Sequence, residues 1–146
     1  MPDTAAQIVH KEMMRAMTRS LIGLQGGVAK YPGKPAGSTY RRTLTLGRSL
    51  TMGRAMTSSG AGRLSIAEVK PITGGVQGRW GTNVKYARWV IDKTRQAKHM
   101  RHWWTLQDEA RRMTPMVRRE FEGASQRIAQ QLGPRWTRTI VIEVNV

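Results

Sequence analysis

The stretch from Tyr31 to Thr51 restricts the possible folds of this chain more than any other stretch does. Pro32 and Pro35 have no backbone N–H and a fixed φ, so the beginning of the stretch is excluded from the interior of a helix. We expect an extended arm at about residues 28–40, which gains little by folding onto its own chain. The arm therefore predicts a contact with an adjacent subunit, made by Tyr31, Pro32, Pro35 and Tyr40.

Leucines alternate with polar residues in the second half of this stretch, from Leu44 to Thr51. Such alternation is typical of a half-buried strand, so we predict the first strand of a sheet here. Apolar positions at 64–69, before Pro71, and at 76–80 predict two more short strands. Together these three strands predict an antiparallel meander joined by glycine-containing turns.

A long helix is predicted on each side of the sheet in sequence order. Residues 3–25 carry apolar side chains at helical spacing, with Asp3 or Thr4 as the N-cap. A second apolar stripe begins after Thr105, which can cap it, and ends at Gly133. Both helices have one apolar face, and the first is expected to pack across the sheet.

The end of the chain adds a kink and a further strand to this prediction. Pro115 predicts a kink in the second long helix, or a new helix start with Thr114 as its N-cap. Alternating residues at about 135–146 predict a C-terminal strand. The order helix, meander, helix, strand predicts a single α+β domain over residues 1–146.

The predicted core combines the apolar positions of these elements. A short helical turn at 84–90 is expected to insert aromatic side chains into the core, and residues 92–102 are expected to form an exposed basic loop. Trp103 and Trp104 adjoin this loop, where they could stack on bases, but packing is the favoured interpretation. The side chains expected to be largely buried are Leu44, Leu46, Trp80, Tyr86, Trp89, Leu106, Val117, Phe121 and Ile128.

The charge balance favours a negatively charged partner. The 146 residues include 25 Lys and Arg against 9 Asp and Glu, a formal net charge of +16. Such an excess is typical of proteins that bind nucleic acid or an acidic protein surface, although a solvated basic face has the same composition. The residues expected to face a DNA channel or another partner are Arg41, Arg42, Arg48 and Arg54 near the first strand, and Lys93, Arg95, Lys98 and Arg101 in the basic loop.

No combination of residues predicts catalysis, a cofactor or a metal site. The acidic pairs at 108–109 and 120/122 have no histidine or second carboxylate at a useful spacing, and no nucleophile elbow or phosphate-binding loop is present. The chain has no cysteine, and His99 and His102 have no evident third ligand. No apolar run reaches membrane-spanning length, so no membrane partner is expected. Because the catalytic motifs above are absent, no enzyme is expected either.

Three blocks of the sequence stand out together, in order, over about residues 30–130. They are Gly37-Ser-Thr-Tyr-Arg-Arg-Thr-Leu-Thr-Leu-Gly-Arg-Ser49, Gly81-Thr-Asn-Val-Lys-Tyr-Ala-Arg-Trp-Val90 and Gln96-Ala-Lys-His-Met-Arg-His-Trp-Trp-Thr105. In this order they resemble the tail-completion, or head–tail joining (neck), minor tail components of long non-contractile-tailed bacteriophages. Lys85 and Trp89 depart from this family, which usually has proline and tyrosine there.

The resemblance implies a structural virion protein, synthesised in the host cytoplasm, that forms a homo-oligomeric ring, with six-fold symmetry favoured over twelve-fold. It implies head-completion or connector proteins on one side of the ring and tail-tube or tail-terminator proteins on the other, with genomic DNA passing non-specifically through the channel. It implies no catalysis and no cofactor. The alternative is a freestanding basic nucleic-acid-binding protein, although no helix-turn-helix, zinc finger or RNA-binding aromatic motif is present.

Overall fold

The computed structural model describes residues 4–27, 36–37, 45–51 and 64–133, without the side chain of Thr51. The described elements mix helix and antiparallel sheet, consistent with the predicted α+β class. The arm predicted at 28–40, apart from a turn at Ala36 and Gly37, and the strand predicted at 135–146 lie outside the described residues. The elements are helix α1 (Ala5–Gly27), helix α2 (Thr45–Thr51), strand β1 (Ser65–Ile72), strand β2 (Gly75–Thr82), helix α3 (Ala87–Ile91) and helix α4 (Leu106–Leu132).

Helix α1 begins with a reciprocal cap. The Thr4 hydroxyl accepts a hydrogen bond from the Gln7 amide at 3.3 Å, and the Gln7 side-chain oxygen accepts one from the Thr4 amide at 2.7 Å. These bonds satisfy two backbone donors that a helix start otherwise leaves unpaired. The helix predicted at 3–25, with Thr4 as its cap, is therefore confirmed.

Helix α4 is a single helix of 27 residues that begins and ends where the sequence predicts. The Thr105 hydroxyl accepts from the Asp108 amide at 3.2 Å, and Gly133, with φ 92°, ends the helix. A new start at Thr114 is wrong, because the helix continues through Pro115 and the Thr114 hydroxyl donates to a carbonyl of the preceding turn at 3.0 Å. The kink at Pro115 stays a prediction.

Helices α1 and α4 run antiparallel and pack along their length. Glu12 lies beside Arg127, with 2.6 Å between the carboxylate oxygen and Nε, and Arg19 lies 3.8 Å from Glu120. The apolar interface between the helices holds a buried cluster, with half-buried side chains around it. Its members are Ala16, Phe121 and Ala124, surrounded by Met13, Met17, Val76 and Val117.

Strands β1 and β2 form a two-stranded antiparallel hairpin. The register joins Ser65 to Thr82 and closes at a two-residue turn, in which Gly74 has φ 79°. This left-handed conformation costs glycine little, which explains a tight turn at this point. The two later strands of the meander are confirmed, although β1 continues through Pro71 instead of ending before it, as an edge strand permits.

The first predicted strand is wrong, because residues 45–51 form helix α2. Leu46 and Leu50 are four residues apart, a spacing that places both on one face of a helix as well as on one face of a strand. Both leucines are buried, and the Ser49 hydroxyl donates to the Leu46 carbonyl oxygen at 2.7 Å. The described residues therefore contain a hairpin and not a three-stranded meander.

A second buried cluster joins α2 to α3, and it consists of Leu46, Leu50, Val84, Ala87, Val90 and Ile91. Trp103 and Trp104 pack against it half-buried, as the favoured interpretation of these residues predicts. The other predicted core residues fall into two groups, and Leu44 lies outside the described residues. Leu46, Phe121 and Ile128 are buried, whereas Trp80, Leu106 and Val117 are half-buried.

Two residues predicted to be core are exposed instead. Tyr86 retains 41% and Trp89 retains 50% of its accessible surface. Helix α3 is only five residues long and has one inner face, which the smaller side chains of Ala87, Val90 and Ile91 occupy. The two aromatic rings are left on the outside because no second layer of described residues covers them.

Candidate functional site

The outer side of α3 combines an exposed aromatic pair with exposed cations. The Arg88 guanidinium carbon lies 5.1 Å from the centroid of the Trp89 ring, which is cation–π geometry. Tyr86 precedes the helix on the same exposed side, and Lys85 next to it is exposed as well. Two cation–aromatic pairs, Lys85-Tyr86 and Arg88-Trp89, thus lie on either side of the buried Ala87.

The chain after α3 folds back onto this helix and is held there by hydrogen bonds to backbone carbonyl oxygens. The Ala97 amide donates to the carbonyl oxygen of Trp89 at 2.9 Å. The Gln96 side-chain nitrogen donates to the carbonyl oxygens of Val90 at 2.6 Å and Trp103 at 3.2 Å. Lys98, which begins a short 3-10 helix, therefore follows directly after a residue that is bonded to Trp89.

Asp92 fixes the turn between α3 and this loop. Its carboxylate accepts hydrogen bonds from the Thr94 amide at 3.0 Å and the Thr94 hydroxyl at 2.8 Å. The Gln107 side chain donates to the same oxygen at 3.3 Å. The Thr94 bonds, first the amide and then the hydroxyl, lower the pKa of Asp92 below its ordinary value of 3.8, because they favour the ionised carboxylate.

Lys93 forms an ion pair within the chain, and the partner-facing role predicted for it stays a prediction. Its ammonium lies 2.9 Å from an Asp108 carboxylate oxygen, and its backbone amide donates to the Gln107 side-chain oxygen at 3.1 Å. The hydrogen bonds from Lys93 and then Thr105 lower the pKa of Asp108. Lys93 therefore ties the loop to the first turn of α4.

The other three cations predicted in this loop are exposed. Arg95, Lys98 and Arg101 are all solvent-exposed. Within the described residues, no carboxylate forms an ion pair with any of them. We call the combined set the α3 surface, and it consists of Lys85, Tyr86, Arg88, Trp89, Arg95, Lys98 and Arg101.

The second predicted basic group is only partly described. Arg48 is exposed on α2. Its companions Arg41, Arg42 and Arg54 lie outside the described residues, as do the arm residues Tyr31, Pro32, Pro35 and Tyr40. These predicted sites therefore stay predictions.

Sequence reasoning missed the aromatic half of the α3 surface. Ala87, Val90 and Ile91 alone complete an inward stripe for a five-residue helix, so the remaining aromatic residues had no inner position left. Trp89 falls on the opposite side of this helix. That leftover position, flanked by Arg88, was the available signal.

Most of the described carboxylates form ion pairs with lysine or arginine side chains of the same chain. The described residues include seven Asp and Glu, and five of these form ion pairs with Lys or Arg. Asp92 accepts hydrogen bonds from Thr94 and Gln107, and Glu122 is exposed. The five paired carboxylates are Glu12, Glu68, Asp108, Glu109 and Glu120.

Two kinds of site have no candidate among residues 4–27, 36–37, 45–51 and 64–133. No group of three or more histidine, aspartate or glutamate side chains comes together as metal ligands would. In the same residues, no helix combines the length and hydropathy required to cross a membrane. The candidate site in the described part of the chain is the α3 surface, which combines exposed aromatic side chains with exposed cations.

Comparison of the chain with family models, curated proteins and solved structures finds no match in any of the three. The likeness to the phage family thus rests on the three sequence blocks alone.

Proposed function

We propose that the chain is a structural virion protein, a ring-forming subunit of the neck or tail-completion region that joins the head connector to the tail tube of a long-tailed bacteriophage. The observation that carries the proposal is the surplus of cations that the chain does not neutralise itself. Five of the seven described carboxylates are already paired, while Lys98, Arg101 and Arg48 are exposed. A molecule of opposite charge is therefore needed where copies crowd together.

Genomic DNA in the channel of the ring is the proposed counterpart of this charge. Contacts to phosphates are blind to sequence, whereas base contacts would hold DNA at one position and impede its passage. The proposal therefore assigns phosphate contacts to at least one of the two basic groups, either that around Arg48 or that around Lys98. The remaining surface faces the connector, tail-tube or terminator proteins on either side.

The predicted arm gives the ring its subunit contact. An extended segment at about residues 28–40, stiffened by Pro32 and Pro35, can lie on a neighbouring copy at little further cost in chain entropy. No catalytic step is part of this proposal, since a joint between head and tail acts by binding and by shape.

Salt-dependent DNA binding tests the charge argument. The full-length chain is titrated onto a 30-base-pair duplex of two unrelated sequences at several salt concentrations. We expect equal affinity for both sequences and a log–log slope of about 0.9 per phosphate neutralised. Two variants identify which basic group contributes to DNA binding: Arg48→Ala, and the double variant Lys98→Ala with Arg101→Ala. The control is Arg119→Ala, on the exposed side of α4. Strong preference for one sequence, or no binding at low salt, contradicts the proposal.

A freestanding nucleic-acid-binding protein is the second candidate. The exposed Tyr86 and Trp89 among cations favour it, because aromatic rings among cations are the usual platform for single-stranded nucleic acid. The two candidates differ in mass, since a freestanding binder is expected to shift DNA as a monomer or dimer, whereas the ring subunit assembles.

A further inference from the structure

The exposed aromatic pair of the α3 surface serves no purpose in the contacts of a neck subunit with double-stranded DNA. Phosphates are bound by cations and by backbone donors, and aromatic rings add little to such contacts. Tyr86 and Trp89 nevertheless leave a large apolar area in water at 41% and 50% exposure. Exposed aromatic residues next to arginine have the composition of the energetic centre of a protein–protein interface, in which Trp, Tyr and Arg dominate.

A base that stacks on Trp89 has to compete for one face of the ring with the neighbouring arginine. The Arg88 guanidinium lies over the indole ring at 5.1 Å from its centroid, and a base would have to displace it from that face. In a protein interface the same arrangement is useful, because the guanidinium stays on the ring and still presents its N–H groups to a carboxylate.

The cations of the α3 surface indicate the chemistry of the partner. Lys85, Arg88, Lys98 and Arg101 carry no ion pair with the described carboxylates. A second copy of the chain is a poor match for them, because most of its carboxylates are used internally. The partner must therefore bring carboxylates of its own around an apolar centre.

We propose that the α3 surface is a protein-docking site for an acidic segment of another protein, in which Trp89 and Tyr86 supply the apolar contact and Arg88, Lys98 and Arg101 supply the charge. The loop contacts support this role, since the Ala97–Trp89 and Gln96–Val90 hydrogen bonds fix the loop backbone that carries Lys98 before a partner arrives. Such preorganisation lowers the entropic cost of binding. The inference goes beyond the neck assignment and does not depend on it, because an acidic protein could dock whatever the larger assembly is.

The first experiment asks whether Trp89 is free in the isolated protein. The full-length chain is labelled with 5-fluorotryptophan, and Trp89→Phe assigns its signal in the fluorine spectrum. We expect the Trp89 signal to shift strongly when the solvent is changed from water to deuterium oxide, and to respond to a water-soluble paramagnetic agent. A signal as insensitive as that of a buried indole means that another segment of the chain covers the ring, and this overturns the proposal.

The second experiment identifies the chemistry that binds. A random 12-residue peptide library is selected on the immobilised full-length protein, and single peptides are then tested in solution. We expect enriched peptides to combine Asp or Glu with an aromatic or aliphatic centre, and to lose affinity about tenfold or more on Trp89→Ala and on Arg88→Glu. Arg88→Glu keeps the ring, so it reports on charge even if Trp89→Ala perturbs the loop.

Matched controls separate docking from general charge effects. Ile72→Ala removes an exposed apolar side chain on the hairpin, and Arg119→Ala removes an exposed cation on α4, and both should change peptide affinity less than about twofold. Selected peptides without acidic residues, or with affinities that ignore both α3 variants, overturn the proposal. Binding of a twelve-nucleotide thymidine strand is measured as well. If Trp89→Ala weakens binding of this strand but not of the peptides, the surface is instead assigned to single-stranded nucleic acid. Failure of the duplex titration, by contrast, concerns only the DNA-channel function.

Discussion

At the scale of single residues, Phe121 is the largest side chain in the buried cluster between α1 and α4. Its ring is 4% exposed and lies against Ala16 and Ala124, which are both 0% exposed. Phe121→Ala should lower the free energy of unfolding by about 3–5 kcal/mol, because the small neighbours cannot fill the cavity. Val117→Ala, at a half-buried position of the same stripe, should cost less. Urea unfolding measures both, and a Phe121→Ala protein within about 0.5 kcal/mol of the parent contradicts this packing.

The Asp92 turn predicts a pH dependence that is confined to acid. Hydrogen bonds from Thr94 lower the pKa of Asp92 below 3.8 in the folded protein, so the turn gains stability from the ionised form. That contribution is complete above the ordinary pKa and is lost as the pH falls through the lowered value. Hydrogen exchange and the chemical shift of the Thr94 amide should therefore change with a midpoint below pH 3.8. Asp92→Asn should abolish this transition, whereas a midpoint above 3.8 would show that the turn does not favour the carboxylate.

At the scale of elements, the contact between α1 and β2 depends on the absence of a side chain at Gly78. A Cβ atom there would lie 2.9 Å from Met17 Cγ, with the Met17 sulfur also in the way. Gly78→Ala should destabilise the protein by about 1–3 kcal/mol through overpacking. Gly81→Ala in the same strand is a matched control, since the nearest atom there is Ile66 Cδ1 at 3.9 Å. Met17→Ala added to Gly78→Ala should restore part of the loss in thermal unfolding, and equal effects of the two glycine variants would contradict this geometry.

The ion pair between Glu12 and Arg127 couples the two long helices. The Glu12 side chain is 8% exposed and lies 2.6 Å from the Arg127 Nε. Glu12→Ala leaves the half-buried guanidinium without its acceptor, so we expect a loss of about 1–3 kcal/mol. Glu120→Ala is the matched control, because its pair with Arg19 is longer, at 3.8 Å, and more exposed, and should cost less than about 1 kcal/mol. Denaturant unfolding compares the two, and an equal cost would show that burial does not strengthen the first pair.

Helix ends were predictable from sequence because a cap depends on residues within one turn. Thr4, Thr105 and Gly133 all occupy the cap positions that local rules assign to them. Helix α2 was not predictable in this way, since the spacing of Leu46 and Leu50 fits both a strand and a helix. The choice is made by packing, in which the Trp80 indole donates to the Leu50 carbonyl oxygen at 3.1 Å across 30 positions of sequence.

The candidate site also contains some features that the sequence predicts and others that depend on packing. The exposure of Arg95, Lys98 and Arg101 follows from their charge, because an unpaired cation is rarely buried. The exposure of Trp89 does not follow from its residue type, because it depends on which face of α3 packs against the leucines of α2. The ion pair of Lys93 was not predictable from its charge either, because its partner Asp108, in the first turn of α4, lies 15 positions further along the chain.

At the scale of the whole molecule, the surplus charge and the arm lead to the same expectation of assembly around a polyanion. The net charge of +16 repels copies brought together, unless DNA or acidic proteins offset it. The α3 surface and the group around Arg48 are on different elements, so one can bind a neighbouring protein while the other meets DNA. A ring subunit needs both kinds of contact.

The mass of the full-length chain in solution tests the central claim most directly. Native mass spectrometry over a range of protein concentrations should detect a closed oligomer, with six copies of the 16.4 kDa chain favoured. Deletion of residues 30–38 should leave a folded protomer that no longer forms it, because the proposal assigns the subunit contact to the predicted arm. A full-length chain that stays a monomer or dimer at every concentration, yet still shifts duplex DNA, would contradict the neck assignment and favour the freestanding binder.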